Sequence, residues 1–381
     1  MKHRLPWLLL LLCQIIAPAA EAGDDIAVAT SGWSDSSLTI VFVGDIMLGR
    51  GVKRITDTAG LHYPFLPTYS LLRSADLAIG NLESPLTTAD YKTTSPWKFK
   101  GDTSAAAFTL RRAGFGLLAL ANNHAPDCGD DGFYDTQRFL EQAGIKWSGR
   151  GDSFRLKIPQ PDFEADIPYP YCLPSFIEVK GFRLGFLSFC QPYLLEISKD
   201  YGGNLIARAD SATVVNSIRL IRDRCHLVVC SFHWGQEYQD RPNAEQKNLA
   251  RLAIRCGADI VHGHHPHVLQ GVEFYRGGLI AYSLGNFIFD QRQAKPRQSG
   301  LLFVKLIKTT SDSNKLTVDS VSFVPLEIVK NRPQPADAQS GEILGRMADL
   351  CRHLGSGARI RDRVLHLYPV KEGPPKAKKP D

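Results

Sequence analysis

Apolar residues in this chain come in short blocks, and most blocks end in a cluster of polar ones. The run Leu38-Thr-Ile-Val-Phe-Val43 shows no alternation, so both its faces should be buried, as in a core strand. It leads straight into Gly44, Asp45 and, five residues on, Arg50. Residues 76–80 repeat the arrangement and end in Asn81, Leu82 and Glu83. Residues 115–121 repeat it again and end in Asn122, Asn123 and His124. Helical patterns at 66–74, 103–113 and 130–143 separate these runs, the second capped by Asp102 and the last two stopped by Gly114 and Gly144. Residues 92–101 read as loop and 150–174 as a proline-rich surface excursion.

The second half keeps the same grammar. Runs 176–179 and 182–189 around Lys180-Gly181 predict a hairpin. A helix from Asp210 to about Arg224 carries Val214, Ile218, Ile221 and Cys225 on one face. Strand 226–232 delivers His233. Asn243 with Gln246 resembles a capping box and opens a helix that stops at Gly257. Strand 258–261 follows, then a hairpin of 268–274 with 279–284, strands 301–308 and 316–324, and a helix near 342–354. Strand, polar turn and helix in repetition predict an α/β fold, and polar groups just past buried strands of such folds mark ligand sites.

One turn stands apart. His262, His264, His265 and His267 fall within six residues, four of the eleven histidines in the chain. Neutral imidazole is the commonest metal ligand. Side chains two apart on extended backbone share a side, so His265 and His267 are the natural pair.

Composition alters the picture mainly at the ends. With 44% apolar and 22% charged residues the chain is ordinary globular material. Lys2, His3 and Arg4, the apolar run 5–16 and Ala20-Glu21-Ala22 form a secretory signal over residues 1–22, cleaved before Gly23, or kept as an anchor. Residues 23–36 read as linker, 37–330 as the domain, 331–369 as a C-terminal helical extension and 370–381 as a disordered basic tail. The net charge of +6 lies largely at the termini; a basic tail suits an acidic polymer or membrane surface, and no nucleic-acid partner is expected. Seven cysteines remain beyond Cys13, without a C-x-x-C pair, which disfavours a thiolate zinc site. An extracytoplasmic compartment permits disulfides, but no pairing follows from the sequence.

The polar groups just past the strands are Asp45, Asn81, Glu83, Asn123, His124, His233, His264, His265 and His267. Carboxylate, amide oxygen and imidazole together suit a borderline divalent metal. These motifs resemble the calcineurin-like metallophosphoesterase superfamily and, more closely, the capsule-synthesis (CapA) family of poly-γ-glutamate synthesis. The closer match rests on Gly44 to Arg50, Asn81-Leu-Glu-Ser-Pro85, Asn122-Asn-His124 with Asp127 and Gly129, His233-Trp-Gly-Gln-Glu-Tyr238, Gly263-His-His-Pro-His267 and Ser283-Leu-Gly-Asn-Phe287. It implies a four-layer αββα sandwich of two mixed sheets with a metal site at one edge. It implies Asp45, Glu83, Asn123, His233, His265 and His267 as metal ligands, with His264 a rival for the first place of the histidine pair. It also implies His124 as the non-ligand histidine that protonates a leaving group. Met47 stands where the superfamily has a ligand histidine, and Asn81 with Glu83 replaces its Asp-x-x-Asp spacing. One divalent ion, or two with a different ligand set, of Mn, Zn or Fe type, is therefore expected. Arg50 and Lys98 are candidates for holding an anionic substrate.

Three functions follow from the resemblance. The first is an extracytoplasmic protein acting on poly-γ-glutamate or a similar anionic envelope polymer, with membrane synthase subunits as partners. The second is a free-standing metal-dependent hydrolase of phosphoester or amide bonds. The third is a non-catalytic assembly subunit of a polymer synthase.

Overall fold

The structure is a computed structural model that describes residues 37–151, 170–196, 205–308 and 315–370. The expected signal segment 1–22, the expected linker 23–36, most of the expected 150–174 excursion and the expected tail beyond Val370 lie outside the described residues.

Strand β1 (Ser37–Ile46) shows why the unalternating runs form core strands. Its Ile40 and Phe42 face one hydrophobic core, and Val41 and Val43 face another. The same holds for β2 (Leu77–Leu82) and β3 (Phe115–Ala119), which run parallel to β1, with the short β4 (Lys146–Ser148) at the edge. A second sheet comprises β5 (Ser175–Val179), β6 (Phe182–Cys190), β7 (Leu227–His233), β8 (Ile260–His264), β9 (Val272–Tyr275) and β10 (Gly278–Ala281), in the order β5-β6-β7-β8-β10-β9. Its inner strands β6, β7, β8 and β10 are parallel and its edge strands antiparallel, so it is mixed. The chain then returns to the first sheet through β11 (Asn286–Ile288), β12 (Gln298–Lys308), β13 (Leu316–Val329), β14 (Arg332–Pro335), β15 (Ser356–Arg361) and β16 (Val364–Pro369).

Three hydrophobic cores define four layers. Phe42, Ile79 and Leu117 of the first sheet meet Phe186, Val229 and Leu279 of the second. On the outer face of the first sheet, Val43, Phe115 and Leu118 pack against α3 (Ser104–Ala113) and α4 (Gly129–Gln142) through Leu110, Phe133 and Leu140. On the outer face of the second, Val228, Cys230 and Val261 meet α5 (Ser211–Ile221) and α6 (Ala244–Cys256) through Val214, Ile218 and Ala253. This is the αββα sandwich of two mixed sheets that the sequence resemblance implies. The Asp210 cap, the Asn243–Gln246 capping box and the left-handed Gly257 stop all form.

Several expectations need correction. Residues 331–369 are not a helical extension. Alongside the helix Ser340–His353 they supply β14, β15 and β16, and β16 pairs with β13. Buried Leu365 and Leu367 alternate with exposed neighbours, so the segment completes the sheet. Helix α1 (Arg50–Ala59) went unread because it buries only Gly51, Val52 and Thr56. Helix 66–74 shortens to α2 (Tyr69–Arg73), and the strand expected at 268 begins at Val272. Asp102 accepts the amide of Thr103 without capping the helix, which starts at Ser104. The seven cysteines 128, 172, 190, 225, 230, 256 and 351 are all free thiols, and burial pushes several upward, Cys172 to about 11.

Candidate metal centre

The C-terminal ends of β1, β2 and β3 meet those of β7 and β8. Asp45 lies inside β1, in register with Asn81 of β2 on one side and Asn286 of β11 on the other. His233 ends β7 in register with His264, which ends β8. The site therefore draws on both sheets. Asp45, Glu83 and Asn123 belong to the first sheet and its turns, and His233, His265 and His267 to the second. Face-to-face stacking brings the two rims together. Close approach is enforced by glycine: a Cβ on Gly44 would lie 1.9 Å from the Gly285 carbonyl oxygen, and one on Gly263 only 2.0 Å from that of Tyr282.

Asp45 is fully buried and fully partnered. His264 donates from Nδ1 to its Oδ1 at 2.9 Å, as does the Asn81 amide at 3.0 Å. Its Oδ2 lies 3.3 Å from His267 Nδ1 and 3.4 Å from the His265 amide nitrogen. Burial disfavours the charge, yet the hydrogen bonds and charges of His264 and His267 hold this carboxyl well below the usual range. Glu83 is the opposite case. It is equally buried, and neither carboxylate oxygen has a hydrogen-bond partner. Burial and then the negative charge of Asp45 push its carboxyl well above the usual value.

Glu83 Oε1 faces His233 Nε2 at 3.8 Å and His267 Nε2 at 3.7 Å. His233 Nε2 also lies 2.8 Å from Asn123 Oδ1. His267 donates from Nδ1 to Asn286 Oδ1 at 2.9 Å, which leaves Nε2 toward Glu83. His265 is buried with its Nδ1 unpartnered. Burial and then the charge of His267 push His265 down to about 3. Burial acts on His267 too, but Glu83 and Asp45 outweigh it and hold the ring up to about 9. A buried carboxylate without hydrogen-bond partners, facing ring nitrogens of His233 and His267 and close to the unpartnered His265 Nδ1, is a donor set that fits a divalent cation. The ligand atoms of Asp45, Glu83 and His233 lie within 4.8 Å of one another, as do those of Glu237, His265 and His267.

His265 and His267 do share a side, but not on extended backbone. Both have positive φ, 92° and 57°, and β8 runs on through His264. His264 has both ring nitrogens engaged, one with Asp45 and the other 3.2 Å from His262 Nδ1, so it stands behind Asp45 and orients it. Met47 points into the core, and its sulfur lies 3.1 Å from the Gly49 amide nitrogen. His124 stacks on Phe99 at 3.7 Å and donates from Nδ1 to Asp127 at 2.9 Å. Arg50 pairs with Asp290, with its guanidinium 4.8 Å from the Phe99 ring centre. Phe99 and Phe289 stand between it and the histidines. Lys98 is exposed, 4.8 Å from the Tyr91 ring centre, a contact outside the histidine cluster. Sequence reasoning assigned no role to Asp127, Glu237, His262 or Asn286. Asn286 carries the same signal as the others, a polar residue just past an apolar run.

The fold stacks two mixed sheets face to face and gathers carboxylate, amide and imidazole groups at one rim. The sequence model of the family described as "Bacterial capsule synthesis protein PGA_cap" matches residues 39–291, and the chain belongs to that family. The capsule biosynthesis protein CapA of Bacillus anthracis is 34% identical over 79% of this chain and 70% of its own length. The PGA biosynthesis protein CapA of Bacillus subtilis is 32% identical over 81% of this chain and 76% of its own. Among solved structures, a 5'-nucleotidase from Candida albicans aligns with a TM-score of 0.41 at 10% identity, over 83% of this chain and 58% of its own.

Proposed function

We propose that this protein serves capsule biosynthesis outside the cytoplasm, acting on an anionic envelope polymer of poly-γ-glutamate type at a divalent-metal site. The ligands are drawn from Asp45, Glu83, Asn123, His233, His265 and His267. The observation that carries the reading is Glu83: a buried carboxylate with no hydrogen-bond partner, facing imidazole nitrogens of His233 and His267. Such a group is costly unless a cation meets it. A divalent ion held by these residues would supply Lewis-acid chemistry at the scissile group. His124, held at Nδ1 by Asp127, keeps Nε2 for proton delivery to the leaving group. Arg50 meets an anionic group of the substrate from beyond Phe99 and Phe289, and Lys98 attracts the polymer at longer range.

Membrane-bound polymer-synthase subunits are the proposed partners. No helix among the described residues is long and apolar enough to cross a membrane. Placement outside the cytoplasm rests on the 1–22 signal. Protein recovered from cell fractions should begin near Gly23, and intact Met1 in the cytosol would contradict this. For the chemistry, metal-loaded protein is assayed on γ-glutamyl and phosphodiester substrates. Metal-dependent γ-glutamyl cleavage supports the proposal. Turnover of phosphodiesters alone replaces it with a free-standing hydrolase. Absence of turnover on both, with metal bound, replaces it with a non-catalytic assembly subunit.

A further inference from the structure

The strands that carry the metal rim all point toward it, so their starts gather at the opposite pole. β1 to β4 begin there in the first sheet, and β6, β7, β8 and β10 in the second. The two sets of starts meet. Lys180 pairs with Asp76 at 2.9 Å, Lys315 lies 3.9 Å from Asp259, and the Leu316 amide donates to the His226 carbonyl at 3.2 Å.

This pole is strongly basic. The strand starts, with the turns and strand ends beside them, are residues 73–77, 111–115, 144–146, 178–183, 222–226, 255–259, 275–278, 305–308 and 315–319. Among these described residues stand thirteen Lys or Arg against five Asp or Glu, a surplus of eight. The whole chain carries only +6, so everything outside the pole sums to −2. The positive charge is therefore concentrated at one end of the sandwich. Arg112, Lys146 and Arg255 are exposed there and come from both sheets' flanks.

We propose that this pole rests on an anionic phospholipid bilayer and holds the metal rim away from it. A cluster of cations at a lipid surface is attracted by the negative headgroups. Two observations favour a bilayer over an anionic polymer as the occupant. First, β1 alone puts about 25 Å between Ser37 and Asp45, so a polymer held at this pole would not reach the rim. Second, apolar groups stand among the cations. Leu367 aligns through Val321 and Val304 with Ile40, so β16 runs toward the start of β1. Its end brings Tyr368 and Val370 to the same pole, 49% and 58% exposed. An aromatic ring with a polar tip and a small apolar side chain beside cations suit the boundary between headgroups and acyl chains. The sequence on either side agrees: the apolar run 5–16 precedes β1, and Lys371, Lys376, Lys378 and Lys379 follow β16. The proposal does not depend on the metal reading, because no rim residue takes part.

The test is vesicle co-sedimentation of the mature protein beginning at Gly23. One set of vesicles is phosphatidylcholine alone, and the other is equal parts phosphatidylcholine and phosphatidylglycerol. The wild type should bind the anionic vesicles, leave the neutral ones in solution and be released by high salt. The triple variant Arg112→Gln, Lys146→Gln, Arg255→Gln should lose about fivefold per charge, on the order of a hundredfold in all. A control with the same charge removed elsewhere, Arg54→Gln, Arg138→Gln, Arg361→Gln, should bind nearly as the wild type does. Metal content should match the wild type in both triples, which keeps this result separate from the rim. Equal loss in the two triples would show only a response to net charge and overturn the proposal. So would a wild type that ignores anionic vesicles, or one that binds soluble poly-γ-glutamate through the pole residues and vesicles not at all.

Discussion

Glu83→Gln separates stability from function at this site. Both Glu83 oxygens are buried without a partner, and burial and then Asp45 push the carboxyl well above its ordinary 4.5. A buried polar group left unsatisfied costs about 1–3 kcal/mol, more when charged. The amide keeps the volume and removes the charge but stays short of partners. Metal-free Glu83→Gln should therefore gain about 1–2 kcal/mol over the wild type near pH 8, a Tm rise of about 2–4 °C in a protein of this size. The sign follows from proton linkage. A carboxyl whose pKa is raised by folding binds its proton more tightly in the folded state. Its penalty is absent below 4.5, where both states are protonated, and grows as pH rises. The advantage of the variant should fade as pH falls toward 4.5. Adding a divalent ion reverses the order, because an ion at a hundred times its Kd stabilises the wild type by about 2.7 kcal/mol and the variant far less. Thermal unfolding by circular dichroism, with chelator and with Mn2+ or Zn2+, measures both effects. A variant less stable than the wild type in chelator, or stabilised equally by metal, would refute the reasoning.

His267→Ala should lose metal and any turnover while its far-ultraviolet spectrum stays native, because the ring sits at a rim of strand ends; full metal content in this variant would count against its role as a ligand. His124→Asn should keep wild-type metal content and lower turnover by about 10²–10⁴-fold, whereas loss of metal instead would make it a ligand. Gly263→Ala places a Cβ 2.0 Å from the Tyr282 carbonyl oxygen and 2.6 Å from Trp234 Nε1, so it should destabilise by about 1–3 kcal/mol or more; an unchanged Tm would show that β8 can move away from its neighbours.

The layering was legible because unalternating runs such as 38–43 can only be buried on both faces. The rim was legible because Asp45, Glu83, Asn123, His233 and the histidine turn all follow such runs. What escaped depends on contacts between distant residues. Helix α1 buries three small or β-branched residues and so leaves almost no periodic signal. Strands β15 and β16 are defined by pairing with each other and with β13, which local pattern does not report. Glu237 looks like any surface carboxylate until the Tyr238–Pro266 hydrogen bond brings its turn against the histidines. His264 and His265 were hard to separate because β8 continues to His264, and only the positive φ at His265 turns the next ring inward.

Metal analysis of purified mature protein, combined with anomalous diffraction from crystals grown with Mn2+ or Zn2+, tests the central claim most directly. The expected result is an anomalous peak at about 2.0–2.2 Å from a Glu83 oxygen and from an imidazole nitrogen of His233 or His267, with at least one equivalent of metal in the sample. Crystals from saturating metal with no peak beside Glu83, and protein that binds no divalent ion in solution, would contradict it and leave the rim as a structural feature of an assembly subunit.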